Sequence, residues 1–238
     1  MKFRTLLLLT AVLCLSIATV AAAADRPVVA VNEFRNNTTS AGWWYSGVER
    51  DLADMLASEL ASTGEFKVVE RKKLGAVLDE QDLAESGRIK ASTGAKIGQL
   101  TGAQYLIVST VTAYEENTQG TGGGIGYRGV SLGGKKSDAY IAVDLRVIDT
   151  TTGEIEYART VEARAGSGGI KVGVWRSGVA AGFDKYKNTP TGKAIRAMTL
   201  EAVDYLTCAM VLQDDCMSEY RAKESSRRAK TKKAIKLD

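Results

Sequence analysis

The chain contains no histidine, and only two prolines and three cysteines occur among its 238 residues. Without histidine there can be no serine or cysteine nucleophile activated by an imidazole, and the common histidine-containing zinc sites are excluded as well. Carboxylates remain, yet no pair stands out from ordinary surface charge. Enzyme activity is therefore not expected, and no metal or cofactor is implied. Gly124-Ile125-Gly126-Tyr127-Arg128-Gly129 matches the dinucleotide pattern, but Ser131-Leu132-Gly133-Gly134 and a strand follow where a helix N-terminus would have to meet a pyrophosphate. Gly129 to Lys136 approaches a phosphate-binding loop, but Lys136 stands where that loop needs Ser or Thr to hold magnesium. A basic face is lacking too. The net charge is +4, and the last twenty residues alone hold eight basic and three acidic side chains, so the excess lies in a tail and nucleic acid is not an expected partner.

What the chain does have begins with an export signal. Lys2 and Arg4 precede an apolar run from Leu6 to Val20, and Ala22-Ala23-Ala24 offers small residues for cleavage before Asp25, the pattern of a secretory signal peptide over residues 1–24. An uncleaved anchor is the alternative, since a stretch of about 20 apolar residues spans a bilayer. Lipidation is not expected: Cys14 sits mid-run behind bulky Leu13. Cys208 and Cys216 remain after cleavage, in a compartment where disulfides persist. On a continuous helix they would lie about 12 Å apart along the axis, beyond the ~7 Å Cα limit, so a bridge requires the helix to end between them. Gln213-Asp214-Asp215 offers such a turn.

Periodicity divides residues 25–217 into an α/β domain. Val28 to Val31 reads as a buried strand, and Val48, Leu52, Met55, Leu56 and Leu60 mark one face of a helix that starts near Ser46 and closes at Gly64. Phe66 to Val69 is a short strand. A second amphipathic helix runs from Leu74 toward Gly87, a third short one covers Ala95 to Leu100, and Tyr105 to Thr112 is a strand rich in β-branched residues. Ala139, Ile141, Val143, Leu145 and Val147 alternate as a strand, a turn spans Asp149 to Glu154, and Ile155 to Ala163 forms another strand. Thr189 caps a helix with Pro190 first and Ile195, Met198, Val203, Leu206 and Met210 on its buried face. The basic end, 218–238, reads as a disordered tail, solvated or in touch with peptidoglycan, lipid phosphates or an acidic partner.

Gly120 to Gly134 holds eight glycines in fifteen positions, and a second glycine-bearing stretch covers Gly166 to Gly182. Both are read either as flexible surface loops or as parts of two long β-hairpins, about 112–148 and 154–187. In the second reading Ile125, Tyr127, Ile170, Val172 and Val174 take lipid-facing places, since a membrane strand needs only about 9–11 alternating residues. Four strands cannot close a barrel, so copies in a ring would have to share one.

Several linked segments resemble the CsgG family of curli-secretion channels: Phe66-Lys67-Val68-Val69-Glu70-Arg71-Lys72-Lys73-Leu74, Val77-Leu78-Asp79-Glu80-Gln81, Leu100-Thr101-Gly102-Ala103-Gln104-Tyr105-Leu106-Ile107, and Val143 through Glu154. Order and spacing agree from about Val28 to Val211. The resemblance implies a periplasmic helix-and-sheet sandwich domain with two long β-hairpin insertions, its copies closing into a ring whose joint transmembrane β-barrel crosses the outer membrane. It also implies a loop ahead of the first long helix that narrows the channel. By position the family's constriction phenylalanine falls at Trp44, its asparagine at Trp43 and its tyrosine near Thr39, so Trp43, Trp44 and Tyr45 are the constriction candidates. Stapling the loop onto the core is the alternative role for them. Three features depart from the family: no cysteine is available for an N-terminal lipid, the second hairpin is shorter between Arg176 and Lys187, and its membrane face carries Gly and Ala where lipid contact favours Leu or Phe.

The function expected is that of a homo-oligomeric outer-membrane channel passing unfolded polypeptide from the periplasm of a Gram-negative bacterium without nucleotide. Accessory envelope proteins are further expected partners. The alternative is a soluble periplasmic interaction module of related fold, similar to activators of peptidoglycan synthases, with no pore.

Overall fold

The computed structural model describes residues 25–39, 43–120, 126–127, 130–131, 135–166, 169–171 and 189–235. The expected signal peptide, residues 1–24, lies outside them, as do Ile125, Val172 and Val174. The elements in chain order are β1 (Val28–Val31), β2 (Arg35–Asn36), α1 (Val48–Thr63), β3 (Lys67–Val68), α2 (Leu74–Glu85), β4 (Tyr105–Gly120), β5 (Gly126–Tyr127), β6 (Val130–Ser131), β7 (Lys135–Asp149), β8 (Ile155–Gly166), β9 (Gly169–Lys171), α3 (Pro190–Thr207), a π turn (Cys208–Leu212) and α4 (Cys216–Ala234).

Among the described residues seven strands form one sheet in the order β3-β1-β4-β7-β8-β9, with β2 beside β4. β1 runs parallel to β3 and β4, while β4, β7, β8 and β9 are antiparallel in succession. Parallel β1 and β3 cannot be joined by a tight turn, and α1 makes the crossover. All four residues of β1 are buried, as expected for a strand covered on both faces. In β7, Ile141, Val143, Leu145 and Val147 alternate into the core against Val161, Ala163 and Ala165 of β8.

The core lies where α1 and α3 pack on one face of the sheet. Leu52, Leu56 and Leu60 of α1 meet Ile195, Met198 and Leu206 of α3 over Ile107, Val111, Ile141, Val143 and Leu145, all at most 2% exposed. At about 1.5–3 kcal/mol per fully buried aliphatic side chain, this cluster supplies most of the drive for collapse. Local chemistry sets the helix ends. Gly64, at φ 74°, is in the left-handed region and donates its N–H to the Ala61 carbonyl, closing α1. Thr189 Oγ1 accepts from the Gly192 amide at 3.1 Å, and Pro190 fills the first helical position of α3.

Three expectations change, and one strand is added. The segment Ala95 to Leu100 forms turns, not a helix: Gly98 sits at φ +78°, and Ile97 and Leu100 are exposed, so a short helix there would bury no face to offset its nucleation. Arg35–Asn36, to which the sequence assigns no element, pairs in parallel with Thr110 and Val111 as β2. The second hairpin turns early, because β8 ends at Gly166 and β9 pairs back from Gly169, so Ile170 lies on a returning strand opposite Ala165. The basic end is not disordered through residue 234, since α4 forms there. Its Tyr220 is buried, and Glu219–Lys223 together with Glu224–Arg227 and Glu224–Arg228 add ion pairs at helical spacing.

Candidate functional site

The candidate site is the neck where the β4–β7 ribbon leaves the helix-covered part of the sheet. Pairing is continuous from Tyr105↔Asp149 to Gly120↔Lys135 except for one shift between Val111 and Ala113. Thr112 is the extra residue of a β-bulge. Side chains alternate along a strand, so one inserted residue exchanges the two faces of everything beyond it. Before the bulge Ile107, Ser109 and Val111 face the core; beyond it Tyr114, opposite the fully buried Ile141, takes that side in place of Ala113.

Tyr114 therefore points at the start of α3, and its hydroxyl lies 2.8 Å from Thr191 Oγ1. Its ring is stacked on the Trp43 indole, with centroids 4.6 Å apart and planes at 26°, and Trp43 in turn meets Trp44 edge-on at 5.2 Å. Such pairs are worth about 0.5–1.5 kcal/mol beyond the area they bury. Both indoles are half-buried against the main core, and Trp43 Nε1 is buried with no hydrogen-bond partner among the described residues. Tyr45 differs: it is 41% exposed, and its hydroxyl donates to Asp51 Oδ2 at 3.0 Å. The structure thus brings Trp43 and Trp44 onto the neck of the ribbon, with Tyr45 at its surface. Tyr114, not named from the sequence, completes the cluster. Its signal was present in the break of alternation at Thr112.

The opposite face of the neck is polar. Tyr140 sits beneath the Arg164 guanidinium at 5.3 Å, and burial, with Glu162 and Glu115 nearby, raises its phenol. Thr160 Oγ1 donates to Asp144 Oδ1 at 2.8 Å on the same side. Of the proposed lipid-facing residues, Tyr127 lies in β5, paired with Val130, and Ile170 lies in β9, paired with Ala165.

At the far end of α3 the chain makes a π turn, with the Gln213 amide donating to the Cys208 carbonyl at 2.8 Å and Gln213 itself at φ 50°. This turn brings the Cα atoms of Cys208 and Cys216 to 6.0 Å, and the two sulfurs are joined. The Asp214 carboxylate is close to both sulfurs, but bridged sulfurs offer no thiolate to a metal. The bridge positions α4, whose Tyr220 packs edge-on against Tyr205 while Arg159 lies 4.6 Å from the Tyr220 ring and donates to its backbone carbonyl at 2.9 Å.

Fold and neck together define a helix-covered sheet domain that projects a β-ribbon past an aromatic cluster. The sequence matches the family model of the curli production assembly/transport component CsgG over residues 11–235, and the chain belongs to that family. The family is one of assembly and transport components, not of enzymes. Curated relatives include the CsgG components of Escherichia coli (strain K12) and Salmonella typhimurium (strain LT2), each 27% identical over 135 residues that cover 55% of this chain and 49% of theirs. The chain spans about half the length of the curated relatives it matches. Similar solved structures include hypothetical protein CT253 from Chlamydia trachomatis, with a TM-score of 0.45, 14% identity, and coverage of 79% of this chain and 99% of that one. The PelC dodecamer from Paraburkholderia phytofirmans has a TM-score of 0.32 and 15% identity over 74% of this chain and 85% of that chain.

Proposed function

We propose that the chain is one subunit of a homo-oligomeric, CsgG-type channel in the outer membrane of a Gram-negative cell, through which an unfolded polypeptide leaves the periplasm. The observation that carries this reading is the ribbon itself: β4 and β7 stay paired for eight positions past the bulge, from Ala113 to Gly120. Backbone groups can enter lipid only when every hydrogen bond is closed, and a ribbon contributed by each of several copies meets that demand by joining its neighbours edge to edge. Ile125 and Tyr127 of the first hairpin would face lipid in that barrel. Trp43, Trp44 and Tyr45 would narrow the passage at its periplasmic mouth, where aromatic rings can grip an extended chain without reading its sequence. Family membership supports the same reading.

Electrical recording tests it. The purified chain, reconstituted in planar bilayers, should give discrete conductance steps, and Tyr45→Ala should enlarge them while leaving the unfolding free energy within about 0.5 kcal/mol of the parent, as for an exposed side chain. A chain that stays monomeric in water and never conducts would favour the soluble envelope module instead.

A further inference from the structure

Two helices, α2 and α4, carry opposite net charge and lie beside exposed apolar residues. At the β3 end, α2 holds Asp79, Glu80, Asp82 and Glu85 and no basic residue. Its apolar residues are not covered: Val77 is 39% exposed, Leu78 42% and Leu83 39%, and the following segment adds Ile97 at 54% and Leu100 at 45%. Leu83 stands one helical turn from both Asp79 and Glu80, so it is flanked by carboxylates. Lys72 ties the start of α2 to the β3 side of the domain, donating to the Arg50 carbonyl and to Asp54 of α1, both at 2.9 Å.

At the β8 end, α4 carries seven basic residues against Glu219 and Glu224. Lys223 and Arg227 turn inward to Glu201, Glu219 and Glu224, whereas Arg221, Arg228 and Lys232 recur at helical spacing along the exposed side, Arg228 also bonding Glu224. Beside α4, Ile155 and Leu212 are each 54% exposed. Gln213 reaches Tyr157 of β8 at 3.5 Å and fixes this end of the helix to that edge. β3 and β8 are separated by β1, β4 and β7, roughly 19 Å across the sheet at the usual strand spacing.

We infer that α2 of one copy docks against the α4–β8 edge of the next, with Val77, Leu78 and Leu83 on Ile155 and Leu212 and the acidic α2 set facing the basic stripe of α4. The partner is a second copy of this chain because both halves of the match, charge and apolar area, lie on the same molecule at opposite ends. Two unlike surfaces give a head-to-tail contact, which closes into a ring when the rotation per subunit divides the circle. Like charges directly opposed in any other pairing, α2 on α2 or α4 on α4, disfavour a two-fold dimer. This inference rests on the homo-oligomeric reading above and supplies its lateral contact outside the membrane.

A charge exchange on the full chain tests it. Asp79→Lys with Asp82→Lys sets lysines against the basic stripe of α4, and Arg221→Glu with Lys232→Glu sets carboxylates against the acidic α2 set; all four positions are exposed, and far-ultraviolet circular dichroism checks that each variant keeps its helices. Each double variant alone should sediment as monomer where the parent assembles, with at least a tenfold weaker association. Mixing the two should restore assembly, because every contact then pairs opposite charges, and so should the chain carrying all four changes. Assembly of either double variant at parental strength overturns the inference, as does a mixture that stays monomeric. If Arg221→Glu with Lys232→Glu loses binding to vesicles of phosphatidylcholine and phosphatidylglycerol at 7:3 yet assembles normally, α4 serves a lipid surface and the contact is overturned. Assemblies that obey the exchange but conduct nothing in bilayers uphold the contact and remove the channel, whereas conductance that survives in both double variants removes the contact alone.

Discussion

Trp43 lies between the core and the projecting ribbon, so its truncation tests the packing side of its role. Trp43→Ala should cost about 2 kcal/mol in urea unfolding, less than a wholly buried indole because the ring is only half-buried against the core, Tyr114 and Trp44. Leu60, with no exposed surface between α1 and the sheet, should cost about 2–5 kcal/mol when replaced by Ala, at unchanged denaturant slope. Tyr114 shows why the site was only partly legible. Trp43, Trp44 and Tyr45 stand together in the sequence, and an adjacent aromatic run draws attention at once. Tyr114 reads as one more strand residue until the Thr112 bulge turns it toward α3.

Two elements changed meaning once packed. α4 follows a sequence of high charge and little apolar surface, features that argue for a solvated tail, yet it folds because Tyr220 finds Arg159 and Tyr205 on elements far away in the chain. Tyr220→Ala should therefore free the helix: hydrogen exchange of the amides from 217 to 234 should accelerate, while β7 and α1 stay protected. Its Glu224 accepts from both Arg227 and Arg228, and these bonds hold its carboxyl down at about 2. The Cys208–Cys216 bridge closes a small loop, for which chain entropy suggests roughly 2–3 kcal/mol. Cys208→Ser with Cys216→Ser should lower the unfolding midpoint accordingly, and intact-mass measurement of the parent should show a gain of about 2 Da on reduction. In β4 the bulge itself is the device: with Thr112 set aside as the extra residue, Ala113 pairs with Ala142 and Tyr114 with Ile141, which puts the phenol on the α3 side.

For the molecule as a whole, pH acts through two sets of carboxylates with opposite sign. Burial raises Glu59, Glu201 and Asp204, which lie on the facing helices α1 and α3. Their charged forms disfavour the fold, so that cost disappears as pH falls through their raised values. Asp149 is lowered by the amides of Thr152 and Thr151, Asp25 by Lys67, and Glu224 by Arg227; what they contribute is present above the ordinary carboxylate range and is lost as pH falls through their depressed values. Melting temperature should accordingly hold or rise from pH 7 to about pH 5 and drop below about pH 4. A steady decline beginning at pH 7 would contradict this balance.

The sequence by itself determined the buried strands, the two core helices with their Gly64 and Thr189–Pro190 ends, and the turn at Asp149 to Glu154, because period, caps and left-handed glycines are local properties. Linked motifs pointed to the CsgG family at the same stage. Only the tertiary structure decided that β2 pairs with β4, that Ala95 to Leu100 has no face to bury, that the second hairpin reverses after Gly166 and that the basic end folds against Tyr205. Each of these depends on a partner distant in the chain. Periodicity records which side of an element wants to leave water, but it does not record what will be waiting there.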